Sequence, residues 1–302
     1  NVKDDLLVKL EMTHLKDREI SKLSGGELQR LALIACMCKK ADLYYFDEPA
    51  TFLDITQRIA VAKIIRGLAN QFSVLVIEHD LATLDYLSDE IQIIYGEPAA
   101  YGVLSVSKSV KRGINEYLDG FLPDDNVRFR MYPISFGKGV ETIFHEGVLF
   151  SYPGLKKSFG TLFSMDVAQG SIRKGEILGI MGANGLGKST FLKIISGLEN
   201  ADDVTLEKRS VSFKPQYLEA SDETVQDYLQ PEDSGWYKQH ILEKLNVRAI
   251  LRHKLSELSG GELQKVHIAK TLSTDADILV FDEPTAFVDV EDRLHIAEVI
   301  KE

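Results

Sequence analysis

The feature that most constrains this chain is an internal repeat. Leu-Ser-Gly-Gly-Glu-Leu-Gln occurs at 23–29 and again at 258–264, an offset of 235 residues. Ser24 with Ser259, Asp47 with Asp282 and Asp54 with Asp289 all keep that offset, so 23–66 aligns with 258–301 without a gap. Fixed spacing across separate motifs means one structural unit used twice. In each copy the Ser-Gly-Gly loop opens a helical stretch, Leu28–Lys39 and Leu263–Leu272. An apolar strand ending in Asp-Glu-Pro follows, Leu43–Pro49 and Ile278–Pro284, and another, Val74–Ile77, runs into Glu78-His79-Asp80. Continuous apolar strands between helices predict α/β domains whose parallel strands are covered on both faces.

With 302 residues there is room for two domains, each with its own core. A net charge of −11 disfavours a surface that is basic all over, as general nucleic-acid binders have, though it leaves room for a local basic patch. No apolar run approaches the length of about 18 residues that a membrane span needs, and a cytoplasmic protein is expected. Cys36 and Cys38, the two cysteines, build neither a disulfide framework nor a four-cysteine cluster. Their apolar surroundings, 31–38, predict buried structural thiols.

Residues 182–189 read Gly-Ala-Asn-Gly-Leu-Gly-Lys-Ser, a full phosphate-binding P-loop between a strand-like segment, Ile177–Met181, and a helix-like one, Thr190–Ile195. Gly182, Asn184, Gly185 and Gly187 let backbone N–H groups close around a phosphate, and the helix N-terminus at Thr190 adds its positive dipole end. Lys188 supplies a mobile charge to the β and γ oxygens, and the Ser189 hydroxyl suits Mg2+. Asp282, leaving an apolar strand, is placed to hold that ion, with Gln216 as a further sensor of metal and water; Glu283 is the candidate base that orients the attacking water. Either of two aromatics upstream of the P-loop, Tyr152 or Phe159, could stack on adenine or belong to the core.

Ser24-Gly25-Gly26-Glu27 and Ser259-Gly260-Gly261 form a second kind of anion cradle at a helix start. With the Asp-Glu pairs about 20 residues on, these segments resemble the signature of ATP-binding-cassette (ABC) ATPases. The resemblance implies that the signature of one cassette closes on the nucleotide gripped by the other. Lys188, Ser189, Gln216, Asp282 and Glu283 would then share one ATP with Ser24, Gly25, Gly26 and Glu27. Asp47, Glu48 and His79, in the position of a switch histidine, would face Ser259, Gly260 and Gly261. Projected by the same offset, the first copy's P-loop falls before residue 1 and the second copy's switch histidine near position 314, so a fragment is expected.

Residues 96–145 read as a connector punctuated by Gly96, Pro98, Gly102, Gly113, Gly120 and Pro123 and carrying Lys108, Lys111, Arg112, Arg128 and Arg130. It is either a solvated linker or a segment wrapped across both halves. The expected division is 1–103 for the first cassette, 104–145 for the hinge and 146–302 for the second cassette. Its Gly-Ile-Asn-Glu-Tyr-Leu-Asp-Gly run, 113–120, and Ala100-Tyr101-Gly102-Val103, with Thr13-His14-Leu15-Lys16 and Lys214-Pro215-Gln216, resemble the ABC-E subfamily, the ribosome-recycling ATPases first called RNase L inhibitor. The resemblance implies ATP and Mg2+ as cofactors and ATP-driven closure that splits ribosomes. It also implies a ribosomal small subunit, a termination or rescue factor and initiation factors as partners, with hinge basic residues on ribosomal RNA. It further implies iron–sulfur clusters in the full-length protein, on a domain expected to lie outside this chain. Alternatives are an ABC-F-type translation factor, or a non-catalytic inhibitor or scaffold that binds a nuclease or an initiation complex. Ala50-Thr51-Phe52, Thr285-Ala286-Phe287-Val288 and Lys265 depart from the usual pattern.

Overall fold

A computed structural model of the chain describes residues 2–97, 100–135, 147–160, 163–216, 218–230 and 235–302. It divides into two compact units, Asn1–Val140 and Glu141–Glu302.

The first unit runs α1 (Val2–Lys9), α2 (Gly25–Met37), β1 (Leu43–Asp47), α3 (Ile55–Leu68), β2 (Ser73–Ile77) and α4 (Leu81–Leu87). Helix α2 starts ahead of the apolar pattern because Ser24 caps it: its hydroxyl accepts from the Glu27 N–H while the Glu27 carboxylate accepts from the Ser24 N–H. Gly25 and Gly26 therefore lie inside the first turn rather than before the helix. Asp54 caps α3 in the same way, through Gln57. Strand β1 pairs in parallel with β2, setting Asp47 opposite Ile77. Leu33, Ile34 and Met37 of α2, Tyr44 and Phe46 of β1 and Val61 and Ile65 of α3 form the core. Only one face of this strand pair is covered, a departure from the two-sided burial expected. Tyr44 and Phe46 are buried while Tyr45 is 64% exposed, because the described helices pack on one side alone.

After α4 come β3 (Glu90–Ile91), β4 (Ile94–Glu97), β5 (Tyr101–Leu104), β6 (Lys108–Ser109), α5 (Val110–Asp119), β7 (Phe121–Leu122) and β8 (Val127–Arg128). The described part of the connector is thus folded into the first unit and is not an open linker. Strand β6 pairs with β3, and Leu122 is fully buried. Gly120 ends α5 at φ 74, where an added Cβ would lie 2.8 Å from the Arg130 carbonyl oxygen.

The second unit contains β9 (Val148–Tyr152), β10 (Leu155–Phe159), β11 (Phe163–Val167), β12 (Gly170–Arg173), α6 (Lys188–Ile195), β13 (Val211–Lys214), α7 (Val225–Leu229), α8 (Gly235–Tyr237), α9 (Gly260–Ser273), β14 (Ile278–Phe281) and α10 (Val290–Lys301). Strand β9 is antiparallel to β12 and β10 to β11, while β13 and β14 run parallel. Ile278 and Val280 of β14 pack with Phe150 of β9 and with Phe191, Leu192 and Ile195 of α6. Phe281 packs against a second cluster built on α7 and α9.

The expected strand at Ile177–Met181 does not form, and Met181 is 96% exposed. A strand needs a neighbouring strand to supply its ladder, and none of the described strands pairs with this segment. Nor are both thiols buried: Cys36 is half-buried, but Cys38, at the C-cap of α2, is exposed. Among the described residues no helix is long and apolar enough to cross a membrane.

Candidate nucleotide-binding and hydrolysis site

The P-loop sits where its sequence predicts, ahead of α6. Gly187 caps that helix at φ 92 and Gly185 stands at φ 79, conformations that glycine adopts without a Cβ penalty. At Gly187 a Cβ would also come within 2.7 Å of the Phe163 ring and 2.9 Å of the Met165 sulfur. Gly182 has ordinary space around it. The Lys188 ammonium arches back over the loop and donates to the Gly182 and Ala183 carbonyls, both at 2.8 Å. Ser189 and Thr190 occupy the first turn of α6, whose N–H groups have no intrahelical acceptors and present the positive end of the helix dipole.

Residues of α6 and of β14, the strand that leads into Asp282 and Glu283, belong to one apolar cluster with Phe150 of β9. Asp282 is buried, and its N–H donates to the Lys214 carbonyl at 3.0 Å. Glu283 has φ 48, an uncommon conformation for a residue with a long side chain. Two side chains fix its backbone: Gln264 Nε2 donates to the Glu283 carbonyl at 2.7 Å, and Lys214 Nζ donates to the Asp282 and Glu283 carbonyls at 3.0 and 3.3 Å. Burial pushes the Lys214 ammonium down to about 8, against 10.5 for a free lysine, while the Asp282 and Glu283 carboxylates pull the other way. Gln216 follows β13 and is half-buried. Tyr152 packs edge-on against Phe191, ring centroids 5.6 Å apart, within the cluster that supports α6. Phe159 is more exposed and lies against Phe163, with the Lys157 ammonium 5.1 Å from its ring.

The first unit repeats the same local geometry. Glu48 has φ 43, and Gln29 Nε2 donates to its carbonyl at 3.1 Å. Its carboxylate accepts from the Thr51 hydroxyl at 3.0 Å and meets His79 Nε2 at 3.1 Å. Thus Asp47, Glu48 and His79 come together at the C-terminal ends of β1 and β2.

Both signature segments form capping boxes, the second through Ser259 and Glu262 at 2.9 and 3.3 Å. Close approach explains their glycines. A Cβ on Gly26 would sit 2.9 Å from the Phe52 carbonyl oxygen, and one on Gly261 3.0 Å from that of Phe287. Phe52 and Phe287 are themselves left-handed, at φ 66 and 62. A Cβ on Gly260 would meet the Phe287 side chain at 3.4 Å or beyond. The sequence reading missed Lys214, Gln29, Gln264 and the two phenylalanines. Gln29 and Gln264 carried a signal, since they keep the repeat offset; Lys214 lies outside the repeat, and the Lys214-Pro215-Gln216 resemblance gave it no role.

The connector's cations are largely engaged within the first unit. Lys108 is buried and pairs with Asp124, Glu116 and Asp125 at 3.0, 3.3 and 3.7 Å. Arg112 pairs with Glu116 and Asp124, and buried Arg130 donates to the Tyr117 and Leu118 carbonyls. Lys108 and Arg130 therefore do not present themselves to phosphates as the sequence suggested; Lys111 and Arg128 are exposed.

The family model described as "ABC transporter" matches residues 3–51 and 165–286, and the chain belongs to that family. Its relatives narrow the placement. It is 47% identical to an uncharacterized ABC transporter ATP-binding protein of Methanocaldococcus jannaschii over 99% of this chain and 50% of that protein. It is 40% identical to translation initiation factor RLI1 of Saccharomyces cerevisiae over 97% of this chain and 50% of that protein. A structure titled as a model of ribosome-bound archaeal Pelota and ABCE1 superposes with a TM-score of 0.92 at 47% identity, covering 98% of this chain and 51% of that one. Another, of archaeal ribosomal stalk protein aP1 with the ribosome recycling factor aABCE1, gives 0.85 at 46% identity, covering 99% and 59%. The chain spans about half the length of the curated relatives it matches.

Proposed function

We propose that this chain is part of a cytoplasmic twin-cassette ATPase that binds and hydrolyses ATP and uses the resulting closure to split ribosomes into subunits. The two cassettes, 1–103 and 146–302, would be joined by a hinge at 104–145. In the second cassette the backbone N–H groups of 182–190 and the Lys188 ammonium hold the nucleotide phosphates. Ser189, Asp282 and the Gln216 amide oxygen are hard oxygen donors, the type Mg2+ takes alongside phosphate and water; the ion would offset negative charge on the phosphates. Glu283 orients and deprotonates the attacking water; Glu48 is its counterpart in the first cassette, where His79 is the switch histidine on the γ-phosphate. Ser24–Glu27 and Ser259–Gly261 each cap a nucleotide gripped by the opposite cassette, and Tyr152 borders the adenine.

The observation that best supports this reading is the apolar cluster shared by the P-loop helix and β14, the strand that runs into Asp282-Glu283. The ribosome, a stalk protein and a Pelota-type rescue factor are taken as partners because the similar structures are assemblies with them. Hinge contacts to ribosomal RNA would fall to Lys111 and Arg128, which are exposed.

Glu283→Gln tests the hydrolytic assignment. It should bind ATP normally and lose about 100-fold or more in turnover, the range for removing a general base. Undiminished turnover would overturn the role of Glu283. Co-sedimentation with ribosomal subunits in ATP and in a non-hydrolysable analogue tests the partner, and indifference to ribosomes in both would overturn it.

A further inference from the structure

We propose that Lys214 is a positioning residue for hydrolysis, holding the Asp282–Glu283 backbone in the conformation that presents the Glu283 carboxylate. The proposal rests on the reading of Glu283 as the base. Lys214 closes β13 and its side chain is only 1% exposed. Its ammonium spans two successive carbonyls, Asp282 at 3.0 Å and Glu283 at 3.3 Å, and its own carbonyl accepts from the Asp282 N–H at 3.0 Å. Asp282 is therefore tied to β13 through both its N–H and its carbonyl, and Glu283 through its carbonyl.

What the tie opposes is visible in the backbone. Glu283 sits at φ 48, a conformation that persists in a non-glycine residue only when its surroundings over-determine it. The repeat supplies a comparison within the chain. In the first unit Glu48, at φ 43, is held by Gln29 on its carbonyl and by the Thr51 hydroxyl on its carboxylate. The second unit keeps the glutamine, as Gln264, but Ala286 stands where the first has Thr51. Ala286 offers no hydroxyl to the Glu283 carboxylate, and Lys214 adds a tether on the backbone. A lysine is a costly choice for a site that a methionine would fill with similar volume. Its three rotatable donors reach adjacent carbonyls that no apolar residue can hold.

The test compares Lys214→Met, Lys214→Arg and Glu283→Gln in the full chain. ATP affinity is measured with a fluorescent analogue and turnover at saturating ATP. Lys214→Met should keep its affinity and KM while kcat falls about 10- to 100-fold, as expected for a reacting group displaced by a fraction of an ångström. Lys214→Arg should recover part of kcat, because it restores charged donors. An unchanged kcat in Lys214→Met, or a fall in affinity that accounts for the whole loss, would overturn the proposal. A readout independent of turnover is the carbonyl carbon NMR shifts of Asp282 and Glu283. They should move in Lys214→Met and stay put in Glu283→Gln at the Asp282 position; unmoved carbonyls in Lys214→Met would refute the clamp. If Glu283→Gln retains full turnover, the reading of Glu283 as base fails, and the carbonyl shifts still decide whether Lys214 holds this backbone.

Discussion

Replacing Lys214 by methionine should make the second unit more stable at neutral pH, even as it impairs the chemistry assigned to that unit. The buried ammonium titrates at about 8 against 10.5 for a free lysine, so keeping it charged inside the fold costs roughly 3 kcal/mol, at about 1.4 kcal/mol per pH unit. The Asp282 carbonyl loses its lysine donor in the variant, which costs about 1–2 kcal/mol, whereas the Glu283 carbonyl retains Gln264. A net gain of about 1–2 kcal/mol remains. Proton counting gives the pH dependence. Between about 8 and 10.5 the unfolded chain keeps the Lys214 proton and the folded chain has released it, so stability of the parent rises with pH through that window and is flat below it. The advantage of Lys214→Met is therefore full below about pH 8 and shrinks as the pH approaches 10.5. Denaturant unfolding without nucleotide or Mg2+ measures it, followed by circular dichroism and by Trp236, the chain's one tryptophan. A variant less stable than the parent at pH 7, or a difference that stays constant across the window, would refute the reasoning.

Gly187→Ala meets both a left-handed backbone and the Phe163 ring at 2.7 Å; it should destabilise the second unit by about 2–4 kcal/mol and weaken ATP binding, read by thermal melts with and without nucleotide. Gly26→Ala and Gly67→Ala should have opposite signs. Gly67 has open space around it within α3 and gains about 0.5–1 kcal/mol of helix propensity, whereas the contact of Gly26 with the Phe52 carbonyl costs about 1–3 kcal/mol and outweighs the same gain. Ser259→Ala removes the cap of α9 and should cost about 1 kcal/mol, measured as a shift of the urea midpoint at constant slope.

Much of this molecule was legible in its residues. The 235-residue offset announced two related α/β units, and local rules read the chain where neighbours in sequence decide. Helices begin at both Ser-Gly-Gly segments, and Gly187 opens α6 after the P-loop. Other expectations failed for one shared reason: they needed knowledge of distant partners. Ile177–Met181 has the composition of a strand but gains no ladder. Tyr45 has the composition of a core residue but faces outward. Lys108 and Arg130 looked like phosphate-binding cations, yet the carboxylates of 116 and 124 and the carbonyls of 117 and 118 engage them first.

By itself the sequence determined that an Asp-Glu pair ends an apolar strand in each copy, that a P-loop precedes one of them, and that a helix starts near each Ser-Gly-Gly. Those features depend on spacing, periodicity and side-chain chemistry within a few turns of chain. Only the tertiary structure decided that Glu48 and Glu283 are left-handed, that Gly26 is needed for the approach of a carbonyl from residue 52, and that Lys214 reaches across 68 residues of chain to the Asp282 carbonyl. Burial of a charge and the strain of a backbone depend on which atoms fill the surrounding space, and those atoms come from other elements of the fold.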